Sequence, residues 1–456
     1  MRGKFSALSG VALMAMVSVA LPTQADARSK AGTVTLTKEQ WDEIQAKLGK
    51  LDQLERDVDA LKAAQQTTQA QADQAQSVAT QAQGAATLAQ DTASQAQTTA
   101  TQAQSAATSA AKDAKSSNAP LAWAKDTKLS GRMFFNISDI NREINGTKTE
   151  SDGGFAIKRL YVGIEHQFNK VLSGNITTDI DSVGAPNGSL VGKGLYLKKA
   201  YLQAKFSPAF TVRAGSADLP WVPYVEGIYG LRYVENVMVD RTKFGTSSDW
   251  GVHVLGDLAG GIVSYDVAAI DGGGYRDPKF SNAVDLEGRV AAKYKGFNVA
   301  VGGYTGKLGK SVDGATPALH TATRLDALAA YKGNLGMIPF TLGGEYFWAR
   351  NWTQVTAAPE DKADGWSVFG NITPARKITV FARYDWIKPH KLTAPTLKDQ
   401  YLNAGVQYEA FKSVDFALVY KHDKAENATI ATSNGTIGGS TDGTYDEFGV
   451  WGMFQF

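Results

Sequence analysis

Arg159-Leu160-Tyr161-Val162-Gly163-Ile164-Glu165-His166-Gln167 and, after a short break, Leu172-Ser173-Gly174-Asn175-Ile176-Thr177-Thr178-Asp179-Ile180 alternate apolar with polar side chains. A period of two is the pattern of a β-strand with two unlike faces. Leu160, Val162 and Ile164 fall on one side of the first strand, with Arg159, Glu165 and Gln167 on the other. Leu172, Ile176 and Ile180 oppose Ser173, Asn175, Thr177 and Asp179 in the second. Working outward, the same alternation recurs to the end of the chain and predicts about sixteen strands. They fall at 128–140, 154–168, 170–182, 194–207, 209–217, 249–257, 260–270, 285–296, 297–307, 321–333, 336–350, 364–373, 376–387, 399–410, 413–423 and 444–456.

The connections decide between a soluble sandwich and a barrel. Short turns such as Ser207-Pro208, Leu258-Ala259-Gly260, Lys295-Gly296 and Lys332-Gly333-Asn334 alternate with longer polar stretches at 141–153, 183–193, 271–284, 308–320, 351–363 and 424–443. Transmembrane barrels keep this asymmetry, with short periplasmic turns and long external loops. Trp250, Tyr265, Tyr294, Phe297, Tyr346, Trp348, Trp366, Tyr384, Trp386, Tyr401 and Tyr420 lie near strand ends, where interfacial girdles are expected. The fold expected over 128–456 is a transmembrane antiparallel β-barrel of about sixteen strands, preceded by an α-helical coiled coil. An even strand number puts both barrel ends on the periplasmic side of the outer membrane of a Gram-negative bacterium.

Ahead of the barrel the composition is rich in Ala, Gln and Thr. Thr37-Lys38-Glu39-Gln40 reads as a capping box, with Leu36 and Trp41 as its hydrophobic staple. From Leu51 a seven-residue period holds its phase. Leu51, Val58, Gln65, Ala72, Ala79, Ala86, Ala93, Ala100, Ala107 and Ala114 take position a, and Leu54, Leu61, Thr68, Ala75, Ala82, Ala89, Ala96, Ala103 and Ala110 take position d. A periplasmic coiled-coil stalk is expected over 37–115, with a linker at 116–127. Arg2 and Lys4, the apolar run Phe5–Ala20 and Ala25-Asp26-Ala27 predict a secretory signal peptide over 1–27.

Composition removes several classes. The 456 residues carry a formal net charge of +2 and no cysteine. Nucleic acid is not an expected partner, and thiolate metal sites, disulfides and cysteine nucleophiles are excluded. Gly302–Ser311 falls short of a phosphate-binding loop because Tyr304 stands where glycine is required. The five histidines have no metal-ligand spacing, and no Ser/His/acid set stands out, so no metal, no cofactor and no enzyme is expected.

Phe155–Gly163 with its basic pair Lys158-Arg159, then Lys199-Ala200-Tyr201, Arg213-Ala214-Gly215 before Pro220, and Asp249-Trp250-Gly251 give the domain from Leu129 to Phe456 a resemblance. It resembles the phosphate-selective porin O/P family of outer-membrane porins. That resemblance implies a homotrimer of sixteen-stranded channels in outer-membrane lipid, each passing small hydrophilic solutes or ions by passive diffusion. The long connection after the fifth strand would fold inward, with Asp218, Glu226, Arg232, Glu235, Asp240, Arg241 and Lys243 at the constriction. Arg159, Lys199, Lys205, Arg213, Arg289, Lys293, Arg324 and Arg383 are expected in the lumen, mixed with Asp179, Asp181, Asp266, Glu287, Asp326, Glu345 and Asp385. This mixture speaks against a strong phosphate preference. The stalk would hold the trimer together or touch peptidoglycan. The alternative is a dedicated uptake barrel for a siderophore-like or other specific ligand.

Overall fold

The computed structural model describes residues 37–116, 122–180, 183–184 and 195–456. The expected signal peptide and residues 117–121 of the expected linker lie outside the described residues. The chain divides into two units, Met1–Lys115 and Ser116–Phe456.

The first unit is one helix, α1 (Lys38–Ser116), of 79 residues. It starts directly after Thr37, where the capping box puts its N-terminus. At about 1.5 Å per residue it is on the order of 120 Å long. Thr and Ser hydroxyls along it donate back to carbonyls four residues earlier, as in Thr80 Oγ1 to Gln76 O at 2.9 Å. Leu51, Leu54, Val58 and Leu61 are each at least 45 % exposed. No helix among the described residues is long and apolar enough to cross a membrane.

The second unit is a closed antiparallel barrel of 16 strands. They are β1 (Thr127–Ile144), β2 (Thr147–Gln167), β3 (Leu172–Ile180), β4 (Leu195–Ser207), β5 (Phe210–Asp218), β6 (Ser248–Leu258), β7 (Val263–Ile270) and β8 (Asp285–Tyr294). The second half is β9 (Phe297–Gly306), β10 (Ala322–Leu335), β11 (Ile338–Arg350), β12 (Lys362–Ala375), β13 (Ile378–Lys388), β14 (Lys398–Phe411), β15 (Val414–Glu426) and β16 (Asp442–Gln455). Every strand pairs with its sequence neighbours, and β1 also pairs with β16 from Arg132↔Gln455 to Ile144↔Gly443. Phe456 and Gly131 complete the closure by exchanging backbone hydrogen bonds at 3.0 and 3.2 Å. Closure gives every strand of the barrel a partner on both sides, as a barrel in lipid requires.

Each expected segment maps onto one strand, and the differences lie in the connections. The loop expected at 141–153 is strand instead: β1 and β2 run on to a two-residue turn at Asn145-Gly146, whose φ values are 51° and 74°. Two positive φ values make the type I′ hairpin turn that Asn-Gly favours. The stretch 424–443 is not an open polar loop either, because it folds into a second small hairpin, Thr429–Thr432 with Gly435–Gly438.

Outside, Leu325, Leu342, Val368, Val406 and Leu418 form an exposed apolar belt, with Tyr294, Phe297, Tyr346, Trp366 and Tyr420 exposed among them. A belt of this extent suits lipid rather than water. Tyr401, expected in the girdle, is wholly buried inside and lies under Arg241, 4.4 Å from its guanidinium carbon. Its parity along β14 matches the inward Asp399 and Asn403, so it cannot reach the lipid face.

Candidate functional site: the lumen and its constriction

Residues 219–247, between β5 and β6, fold into the barrel rather than away from it. Pro223 helps to start α2 (Val222–Tyr229), and Gly230 ends it at φ 77°, the left-handed cap that glycine adopts without strain. A single turn, α3 (Met238–Arg241), follows. Trp221, Val222, Val225, Tyr229, Val234, Met238 and Phe244 are buried with Phe347, Phe369, Phe381 and Trp451 of the wall. The inward loop therefore brings its own apolar core, each large side chain contributing about 1.5–3 kcal/mol.

Polar contacts fasten this loop to one side of the barrel. Trp221 Nε1 donates to Glu345 at 3.1 Å, and the Arg289 side chain donates to Pro220 O at 2.8 Å. Arg324 reaches Phe244 O at 2.6 Å, and Arg383 reaches Asn236 O at 2.5 Å. Lys421 bridges Glu235 and Glu447, both at 3.1 Å. The densest contact is Arg241, which pairs with Asp385, Asp423 and Asp399 at 3.0, 2.9 and 2.5 Å, all four side chains being fully buried. All of these partners stand on β8 to β16.

Arg241, expected at the constriction, is instead an anchor with no surface on the lumen. Arg289 and Arg383, expected to line the lumen, are covered by the loop for the same reason, and Arg324 keeps only an edge on the outermost cavity. Glu345, Asp326 and Asp385 are buried beneath the loop with them. Lys205 and Lys293 lie exposed near short turns, and Arg213 is held by Gln203 at 2.8 Å, apart from the cavities described next. Asp181 lies outside the described residues.

Among the described residues, open space between the loop and the opposite wall includes three cavities that share walls. One of about 600 Å³ at the short-turn end is bordered by Arg132, Lys198, Lys199, Asp218, Glu226 and Arg232. The next, about 210 Å³, carries Lys158, Arg159, Arg232, Lys243 and Arg276 against one carboxylate, Glu235. The third, about 370 Å³ at the long-loop end, shares Arg159, Lys243 and Arg276 with the second and adds Asp240, Asp249, Glu287 and Arg324. Cationic side chains outnumber carboxylates in each. The middle chamber is the smallest and the most one-sided.

Two β-bulges build this charge. Phe134 faces Arg159 while Phe135 faces Ile157, so Lys158 is an extra residue in β2. Thr177 faces Lys199 while Thr178 faces Leu197, so Lys198 is an extra residue in β4. A bulge re-aims side chains, and each here turns two adjacent basic residues toward the interior. Lys198 is buried with Tyr161, its Nζ 4.7 Å from the ring centre. Arg276, from the connection after β7, stacks on Tyr196 at 4.5 Å. Lys158, Lys198 and Arg276 were not among the expected lumen residues.

Carboxylates sit behind the cations. Arg159 pairs with buried Asp179 at 2.9 Å, and Arg232 pairs with Glu226 and, at 3.8 Å, with Asp240. Lys199 pairs with Asp218. Burial alone would raise Glu235, but Lys421 and Lys158 hold its carboxyl well below the usual range. Counted with Asp179, Glu226, Asp240, Glu447 and Lys421, the middle chamber still keeps one positive charge in excess. Such a section, walled by protein of low dielectric, carries a positive local potential.

No protein-family model and no curated protein matches the chain. Among solved structures, an anion-selective porin from Comamonas acidovorans is similar with a TM-score of 0.54 at 12% identity, over 72% of this chain and 99% of that one. The outer membrane channel DcaP of Acinetobacter baumannii is similar with a TM-score of 0.51 at 13% identity, over 72% and 97%. At these identities the likeness is one of fold: the second unit has the barrel fold found in outer-membrane porins.

Proposed function

We propose that this chain is an outer-membrane porin that gives small hydrophilic solutes a passive path and favours anions. The observation that carries the reading is the middle chamber, where five cationic side chains face one carboxylate beside an inward loop. Facing charges at a narrow section set ion preference through the local field. A chamber of about 210 Å³ is below the usual size of sites for drug-sized ligands, which favours small solutes over a siderophore. Kinship with the phosphate-selective porin O/P family is part of this proposal, without a strong phosphate preference. Purified protein in planar bilayers should give stepwise conductance. Folded protein that inserts and never conducts would end the channel reading.

Glu226 provides a test by pH. Burial pushes its carboxyl above the usual range, against the pull of Arg232 and Lys198. A raised value means that Glu226 takes up a proton while ordinary surface carboxylates are still ionised. On going from neutral to mildly acid solution it loses its charge early and leaves Arg232 less balanced. The anion-to-cation permeability ratio should therefore rise, and Glu226→Gln should have the high ratio already at neutral pH with a flatter pH profile. An identical pH profile in the variant would assign the effect elsewhere.

The proposal extends to a homotrimer whose α1 helices associate in the periplasm as a coiled coil. Leu51, Leu54, Val58 and Leu61 occupy a and d positions and are exposed in the single chain, which supports a partner helix along that seam. Helices of polar composition draw most of their stability from such packing. The stalk would also be long enough to touch peptidoglycan. Deleting residues 37–115 behind the signal peptide should leave single-channel conductance unchanged while lowering the temperature at which the trimer dissociates on a gel or weakening envelope attachment. A truncated trimer of unchanged heat resistance in cells with an intact envelope would refute the role of the stalk.

A further inference from the structure

The hairpin formed by Thr429–Thr432 and Gly435–Gly438 stands apart from the barrel sheet, joined by the two-residue turn Ser433-Asn434. Its Ile430 and Ile437 side chains are buried against Leu397, Ala425 and Tyr445, so it is folded into the mouth of the barrel. Its tip meets the inward loop. Ser433 N donates to Arg241 O at 2.8 Å, and Ser433 Oγ donates to Glu235 at 2.7 Å. From the wall, Arg142 donates to the carbonyls of Asn434 and Thr436 and lies over the Tyr445 ring at 4.7 Å. Ser433 is exposed to the middle chamber and forms part of its wall.

We infer that this hairpin is a second constriction element, with Ser433 bordering the solute path opposite β2 and setting the width of the middle chamber. The inference rests on the channel reading. Residues 427–438 contain no charged side chain. The hairpin therefore narrows the path without adding to its field, and it governs conductance and size cut-off while the basic residues govern ion preference.

The chain has no cysteine, so Ser433→Cys introduces a single thiol into the full-length protein. Hydroxyethyl methanethiosulfonate, a neutral reagent, added from the long-loop side should attach there and reduce single-channel conductance by roughly half or more, because the added group takes up space in the smallest of the three cavities. Thr429→Cys, exposed at the base of the hairpin and outside the three cavities, should be labelled with little change in conductance. Replacing residues 428–440 by a Gly-Gly link should raise conductance and admit larger neutral sugars, with the sign of ion preference retained. Labelling of the Ser433→Cys variant, verified by mass, with conductance unchanged would overturn the inference and leave the channel reading standing. So would a thiol at this position that no reagent reaches in the folded variant. A wild-type protein that never conducts would remove both.

Discussion

Arg241→Ala is expected to release the end of the inward loop and give larger, noisier single-channel currents, the strongest effect on conductance of any single substitution in the loop. Arg241 pairs with three fully buried carboxylates at 2.5–3.0 Å, and among them Arg383 reaches only Asp385. Asp399 and Asp423 would be left buried without a cation, and removing one side of a buried ion pair costs about 3–5 kcal/mol. That is on the order of a hundredfold or more toward the released loop. Trp221, Val222 and Val225 keep α2 packed, so the opening should be local to α3. Arg241→Met combined with Asp399→Asn and Asp423→Asn removes charge on both sides and should return conductance toward wild type. Equal currents in wild type and Arg241→Ala would show that apolar packing alone holds the loop.

The second large effect is on ion preference. Lys243→Glu with Arg276→Glu changes the middle chamber, counted with its flanking charges, from one positive charge in excess to three negative, and both residues lie at its accessible surface. Arg159 and Arg232 are left intact because reversing them would set new carboxylates against Asp179 and Glu226. Each altered charge a few ångströms from a permeating ion is worth about 1–2 kcal/mol at the effective dielectric of a partly solvated site. Together the changes should shift the anion-to-cation permeability ratio by tenfold or more and invert its sign. A ratio that stays on the anion side in the double variant would place the selecting charges elsewhere in the lumen.

The period-two pattern carried the barrel because, in a lipid-facing sheet, one face must be apolar along every strand. The lumen was less legible for reasons that differ by residue. In β2 the apolar positions are odd at Phe155 and Ile157 and even at Leu160, Val162 and Ile164. In β4 they pass from Leu195 and Leu197 to Ala200, Leu202 and Ala204. That slip of phase across Lys158-Arg159 and Lys198-Lys199 is the bulge in each strand, so a signal for Lys158 and Lys198 was present. Asn145-Gly146 likewise carries the sequence of a tight hairpin turn. No local pattern distinguishes Arg241 from Arg232, since both sit in one loop. Only the tertiary placement of Asp385, Asp399 and Asp423 on three adjacent strands makes one an anchor and leaves the other on the path. The apolar residues from Trp221 to Val239 signal the inward loop independently of the resemblance, because a solvated external loop would have no use for so many.

The reversal potential of single channels under a potassium chloride gradient reports whether the basic middle chamber controls what passes. Current should reach zero at a voltage of the sign set by chloride, moving further toward the chloride limit as the solution is made mildly acid. A reversal potential at zero, or on the potassium side, would contradict it.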